Sequence, residues 1–578
     1  MSANSEPVEI LLEQANLYRT FGEFETAIES YDELLQIQPD HLIALYDRAH
    51  LLYKVGRYTE AVHSYDRLIH LKPDYSDAWF HRGNSLDAMG SEEEAITSYD
   101  RQLELQPEHH ETWKKRGDSL KDLGRHEDAI ESYDQALKFE SDNHETWRNR
   151  GYSCAALERY EEAIQCYDHA LELNPYNHNA WECRGIALKC LGRYEAAIES
   201  YDRAIPLKPD CHTAWGNRAL ALHRLKRYEE AIENYDQSLQ FNSNFAWTWY
   251  NRGISLHYLG RYEDAIENYD QALPYEPYDF QVWYSRSVAL EQLERYEAAI
   301  ESYDQSLQFK PDSYQAWYNR GLLLSNLERY EDAIESYDQA LKLNPEYQQV
   351  WSNRGFALHC LERYEAAIEA YSRAINYDPN NARNWYCRGI LFAQLERFEA
   401  AVENYDKALE LGENDSDIWH YRAHVNGRLE RYEAAIENYN KALEIDPNDY
   451  IAWLGRAYSF DQVSNLEQAI ADYQKAQEIQ PDDIAVWYRH GKALQKNEQY
   501  QDAIFLYDKA LQVKHNDANT LYARAACYSR IGDALQAIEN LKAAISLDSE
   551  YRQRATTDPD FDTLHKDDRW RTLMERSQ

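Results

Sequence analysis

No stretch of this 578-residue sequence stays apolar for anything near the ~20 residues that cross a bilayer, so a membrane span is not expected. The opening residues, Met1 to Pro7, have no basic region and no apolar core, so no secretory signal is expected either. Cations are scarce: 61 Lys and Arg face 101 Asp and Glu, a net charge of −40. Such a chain repels phosphates, which argues against nonspecific nucleic-acid binding. The 8 cysteines lack the paired spacing of a disulfide scaffold and point to a reducing compartment, the cytoplasm. There is no Gly-rich phosphate loop, no HExxH and no nucleophile elbow, so no catalytic residue and no cofactor is expected. Methionine is nearly missing, 3 residues against 48 Tyr and 15 Trp, and a bias this strong suggests repetition.

Thirteen of the 15 tryptophans fall 34 residues apart, from Trp79 to Trp487 without a slip. Leu11 and Leu45 continue the register backward and Leu521 forward. With Trp at position 4, sixteen units run from Val8 to Tyr551, leaving residues 1–7 as an expected disordered start and 552–578 as a tail. A fixed period of this length is the mark of a repeat architecture. Position 20 is Ala in all sixteen units, position 24 is Tyr in the first fifteen, position 8 is Gly or Ala in most, and position 32 is often Pro.

Each unit reads as two helices. Trp79, Arg82, Gly83 and Leu86 recur at i, i+3, i+4 and i+7, one helical face. Ala95, Tyr99 and Leu103 mark the second. Small residues at positions 8 and 20 let the helices approach, Trp and Tyr fill the space around them, and Pro ends the second helix. Where the turn lacks Gly, as at Glu294, Glu328 and Glu362, it either avoids positive φ or bears a cost of ~1 kcal/mol.

On these residues the sequence resembles the tetratricopeptide repeat family, over residues 8–551. The resemblance implies an all-α fold: an α-solenoid of sixteen helix-turn-helix units in a right-handed superhelix, with first helices lining the concave side. Each unit depends on its neighbours for the rest of its core. One departure is plain. Position 7, an aliphatic residue in the family, is Arg in fourteen units, and position 25 is Asp in twelve. An Arg–Asp ladder is expected, each Arg facing position 25 both of its own unit and of the one before.

The resemblance places positions 2, 5, 6, 9, 12 and 13 on the concave face. Position 6 is Asn at Asn149, Asn217, Asn251, Asn319 and Asn353, similar to the asparagine ladder of the O-linked N-acetylglucosamine transferase array. There the amides hold an extended peptide backbone, a task that suits a side chain which both donates and accepts. Between them lie apolar and aromatic residues: Ile254, Leu322, Phe356 and Ile390 at position 9, and Tyr250, Tyr284, Tyr318 and Tyr386 at position 5. Trp247, off the 34-residue register, is either a binding anchor or packing on repeat 7. A Tyr-lined trough of this kind points to a protein-binding surface. Lys114, Lys115, Lys121 and Arg148 form one basic patch, and Arg489, Lys492 and Lys496 another. Lys114 is followed four residues later by Asp118, not Asn, so the clamp for chaperone tails known in the family is not expected.

Histidines at His110, His144, His178 and His212 sit one per unit, too far apart to share a metal, and none is expected. In the tail, Phe561, Leu564, Trp570, Leu573 and Met574 supply the apolar surface a solenoid needs to cap its last unit. The leading functional reading is a non-enzymatic scaffold that binds an extended peptide or partner protein in its groove. The alternative is a structural protein that self-associates end to end or through its convex face.

Overall fold

In the computed structural model the described residues are 5–575, and among them the chain forms α-helices and one short 3-10 helix with no strand. Of the start expected to be disordered, residues 5–7 belong to the first helix, Ser5–Phe21, and residues 1–4 lie outside the described residues. The helices group into two compact units, Met1–Glu294 and Arg295–Gln578.

Within each unit the helices follow the 34-residue register. Repeat 3 is Ser76–Asp87 with Glu92–Leu105, and repeat 10 is Tyr314–Asn326 with Tyr330–Leu343. A helix packs on its partner in the pair and on the helix that follows, and first helices of successive repeats also touch in much of each unit. Each unit is therefore an α-solenoid, and its core is a row of small clusters rather than one centre.

The pairing contact is a ring on a glycine. A Cβ added to Gly117 would lie 2.7 Å from the Tyr133 ring, and one added to Gly321 would lie 2.6 Å from Tyr337. Position 8 must therefore stay small, and the Tyr at position 24 is fully buried in most repeats. The tryptophans have a second task. Trp79 donates its indole N–H to the carbonyl of Pro73 at 2.9 Å, and Trp351 does so to Pro345 at 2.9 Å. The indole straps down the loop that enters its own repeat. In most units the side chain at position 34 caps the first helix of the next: Asn177 accepts from Ala180 N–H and Asp449 from Ala452 N–H.

The turn inside each repeat takes positive φ whatever residue stands there. Gly22, Gly56 and Gly90 do so, and so do Glu294 (φ 57°), Glu328 (φ 59°) and Glu362 (φ 57°).

The Arg–Asp ladder needs one correction. Arg82 donates Nε–H to Asp66 at 2.6 Å and Nη1–H to Ser98 Oγ at 2.6 Å. Arg320 repeats this with Asp304 and Ser336 at the same distances. The guanidinium thus reaches 16 residues back, to position 25 of the preceding unit, and 16 forward, to position 23 of its own. Position 25 of its own unit lies two residues beyond that reach along the helix, so the rungs are separate inter-repeat pairs rather than a continuous alternation. The Arg also lies over the Trp of its own repeat, as Arg320 does over Trp317 at 5.8 Å.

The tail folds onto the last pair, Ala518–Arg530 and Ala534–Leu547. Buried Phe561, Leu564 and Trp570 join Leu521, Tyr522, Leu541 and Ile545, with Leu573 and Met574 against them. The Tyr522 hydroxyl donates to Asp558 at 2.7 Å, and Asp558 caps the 3-10 turn by accepting from Asp560 N–H.

Candidate functional site

First helices present positions 2, 5, 6 and 9 to one side. In repeats 8 and 9, an open cavity of about 490 Å³ is lined by Ile254, His257, Tyr258, Tyr262, Tyr269, Tyr284, Ser285 and Val288. It brings Ile254 and Tyr284 together. In the second unit, a cavity of about 330 Å³ is lined by Tyr318, Asn353 and Phe356 with Gln348, Gln349, Ser352, Asn381, Arg383, Asn384 and Cys387. Neither Leu322 nor Ile390 lines it, although both lie half-buried at the same register position as Phe356. Phe356 itself is 48% exposed. A third cavity, about 510 Å³, takes in Asn149 with Lys121, Arg148, Asn179 and Cys183.

The asparagines do not form a row of uncommitted amides. Asn149 donates to Asp118 at 2.8 Å, and Asn217 accepts from Lys189 at 2.8 Å. Asn251 donates to the Trp247 carbonyl on its own helix at 2.7 Å, and Asn353 donates to the Tyr318 hydroxyl at 3.1 Å. Asn319 also has partners of its own. Each bond uses one of several donor and acceptor sites on the amide.

A Tyr at position 5 leans on position 6 of the next repeat: Tyr250 on Ser285, Tyr318 on Asn353, and Tyr386 on Tyr421 with ring centres 6.2 Å apart. The same rings rest on the buried position-24 Tyr of their own repeat, at 6.1 Å for Tyr250 on Tyr269. Burial raises the pKa of Tyr250, Tyr318 and Tyr386, keeping their hydroxyls neutral. Burial also lowers the pKa of His257 and His359 on this face.

Trp247 is turned onto repeat 7. Its ring would lie 3.0 Å from a Cβ at Gly216, 5.7 Å from the Phe245 ring centre and 6.3 Å from that of Tyr235. The packing reading of Trp247 is the one the geometry displays, and Gly216 at position 5 makes room for it.

The basic patches are partly neutralised. Lys114 pairs with Glu145 at 2.5 Å and Lys496 with Asp461 at 2.6 Å. Among the described residues no group of three or more His, Cys, Asp or Glu is placed to hold a metal ion. His144 and His212 instead lie 3.4 Å from Asn174 and Asn242 of the following inter-repeat loops. Sequence reasoning missed Ser352 and Asn384. Their signal was there: position 5 is Tyr in the flanking repeats and Ser at 352, and position 3 is an amide only at 384. It also missed a further cavity of about 380 Å³ around His420, His424, Arg428, Tyr458 and Arg489.

Models of the tetratricopeptide repeat match residues 8–41, 46–110, 114–178, 166–199, 210–275, 250–315, 314–347, 360–396, 382–415, 416–449, 450–483, 484–517 and 518–551. The single-unit matches 8–41, 314–347 and 518–551 coincide with the bounds set by the Trp spacing. No curated protein matches the chain. Among solved structures, YrrB, described as a TPR protein with an unusual peptide-binding site, is 22% identical, with a TM-score of 0.32, covering 33% of this chain and 98% of its own. MamA (residues 41 to the end) from Desulfovibrio magneticus RS-1 is 23% identical, with a TM-score of 0.28, over 29% of this chain and 94% of that one. The structure of Naa15/Naa10 bound to HypK-THB matches at 15% identity and a TM-score of 0.32, over 98% of this chain and 99% of that one.

Proposed function

Since the chain belongs to the tetratricopeptide repeat family, we propose that it is a non-enzymatic interaction scaffold that holds an extended peptide, or an extended stretch of a partner protein, against the inner face of its first helices. One observation carries this reading. The eighteen inner positions of repeats 10–12 hold a single charged residue, Arg383, in a chain of net charge −40. They hold Tyr318, Leu322, Phe356, Tyr386 and Ile390 instead. In repeats 8–9, the twelve inner positions likewise hold one charge, Glu291. A half-exposed, aromatic strip with so few charges on so acidic a surface is the composition of a binding face. Net gains of ~0.5–1.5 kcal/mol per hydrogen bond fit micromolar binding of short peptides. No helix among the described residues is long and apolar enough to cross a membrane. All eight cysteines are free thiols, which fits the cytoplasm as the setting of this reading.

The test is a random-peptide array probed with the whole chain. Leu322→Asp should change which peptides bind, while Asn353→Ala should weaken the bound set by similar factors, both with unchanged melting. An unaltered array profile for both variants would overturn the reading.

A second reading, self-association, rests on a different observation. Ile10, Leu17 and Phe21 form an exposed apolar stripe on the first helix, Phe21 being 72% exposed. Two copies would meet through this end. Light scattering over a hundredfold range of concentration decides it: a constant monomer mass removes this reading.

A further inference from the structure

The cavity of repeats 10–12 contains a buried polar atom without a partner. Asn384 lines it, is only 3% exposed, and its Nδ2 finds no hydrogen-bond partner. In the other fifteen repeats position 3 is Ala, Val, Ile or Thr. A second departure opens the space above it: position 5 is Ser352, between Tyr318 and Tyr386 of the flanking repeats. A buried amide left unpaired is costly and is rare in folded proteins.

We propose that this cavity is a subsite for a carboxamide side chain, a Gln or Asn of the bound segment. The proposal rests on the groove-binding reading above and adds a selectivity to it. Ser352 Oγ lies 2.8 Å from Asn384 Oδ1 and 3.2 Å from the Gln348 carbonyl. The hydroxyl has one hydrogen and serves one of them. If it donates to Asn384, Nδ2 is left open; if it donates to Gln348 and the amide is turned over, Oδ1 is. A carboxamide has both a donor and an acceptor and complements either arrangement. A carboxylate offers acceptors alone, and burying its charge is expensive in a chain of net charge −40. An aliphatic side chain leaves Asn384 unpaired. The main chain of a segment lying along the inner face does not reach an atom buried this deeply, whereas a side chain entering the cavity does. Arg383, exposed at the rim, is the one cation among the residues that line the cavity, which makes Glu the decisive competitor of Gln.

The experiment uses the whole chain and the same random-peptide array. The tightest binding peptides that contain Gln or Asn are resynthesised with Glu or Leu at each such position. For at least one position, both replacements should weaken wild-type binding about tenfold. In Asn384→Ala and in Ser352→Tyr the three peptides should bind within about twofold of one another. Ala and Tyr are native at these two positions in other repeats, so both variants should melt like wild type; if one does not, the other decides. Wild-type indifference to Gln, Glu and Leu, or full discrimination retained by a folded variant, overturns the proposal. Leu322→Asp separates the two readings. If it and Asn353→Ala both leave the array profile unaltered, or if no peptide binds at all, the groove reading falls and the subsite with it. If it weakens binding while no carboxamide preference exists, the subsite alone falls.

Discussion

The two halves of the molecule obey one 34-residue register and solve it with different residues. Of the within-repeat turns in repeats 1–8, six are Gly, and only Glu158 and Lys226 are not. In repeats 9–15 every one is Glu or Ser, yet each keeps φ between 57° and 60°. The rungs differ in the same direction. Through the first half Arg meets Asp one unit back, as in Arg82–Asp66 and Arg252–Asp236. In the second half the pattern is rewritten three times. Arg388 meets Ser372 and Asn404, with no ion pair among the described residues, and lies 4.7 Å from the Trp385 ring. Arg456 meets Asn440 behind and Asp472 ahead, so the acid has changed sides. In repeat 15 the Arg is His490, and both of its usual partners have become Gln474 and Leu506. The packing between helices dictates the geometry, and the side chains at the turn and rung have only to be compatible with it.

The largest effect separating the halves should come from the end each presents. Deleting residues 558–578 uncovers Tyr522, Leu541 and Ile545 by removing Phe561, Leu564 and Trp570. Losing three buried side chains costs about 5 kcal/mol or more locally. Hydrogen exchange should accelerate in repeats 15–16 and leave repeats 1–8 unchanged; equal protection throughout would refute the capping role. Next come the rungs. The Asp472 side chain is 5% exposed, whereas that of Asp66 is 48% exposed. Arg456→Ala strands a buried carboxylate and should cost ~3–5 kcal/mol, while Arg82→Ala should cost ~1 kcal/mol. Urea unfolding of the two variants reads the difference, and equal losses would erase the contrast.

A smaller effect is set by pH. Burial lowers His490 to about 4, below the ordinary imidazole value near 6.5. The unfolded chain then binds the proton more readily, so this contribution is full above pH ~6.5 and is lost as pH falls toward 4. Between pH 7 and 5 the loss should be ~2 kcal/mol and confined to repeats 14–15. His81 in the first half is lowered to about 4 by the same cause and predicts a second acid-sensitive spot. His490→Gln should remove one spot and keep the other, as exchange at the two pH values will register. The smallest effect is at the turns. Relieving φ 57° in Glu362→Gly gains ~1 kcal/mol in the folded state and loses part of it to the looser unfolded chain. The melting temperature should rise slightly, whereas Gly124→Ala in the first half should lower it.

The repeat architecture was legible because Trp, Ala and Tyr each occupy a fixed place that packing forbids others to take. The rungs were half legible. Asp one unit back was read correctly from its spacing, and the forward partner was placed at position 25 rather than 23. Ser or Asn stands at position 23 in twelve units, a signal that the conspicuous Asp overshadowed. The turns were not legible, because Glu carries no local preference for positive φ; only the pair of helices on either side imposes it. A shared face for Tyr318, Asn353 and Phe356 was expected from the family resemblance together with the register, and the three line one cavity. The commitment of its amides to neighbouring hydroxyls and carbonyls was not, since a hydrogen bond across 35 residues leaves no mark in sequence.

The rung of 16 residues each way has a consequence for how such a chain changes length. Because most of these Arg draw one partner from their own unit and one from the unit behind, excising a whole unit of the first half brings the next Arg against an Asp equivalent to the one it lost. Removing residues 110–143 would set Arg150 against Asp100 in place of Asp134, with nothing left over. Gene duplication and deletion can therefore act on the first half in whole steps without stranding a charge. Around repeats 14 and 15 that freedom ends. Excising residues 450–483 would present His490 to Asn440 instead of Gln474, and excising 484–517 would set Arg524 against Gln474 instead of Asp508. Excising both, residues 450–517, would still set Arg524 against Asn440, so the ion pair of Arg524 depends on repeat 15 standing directly before it.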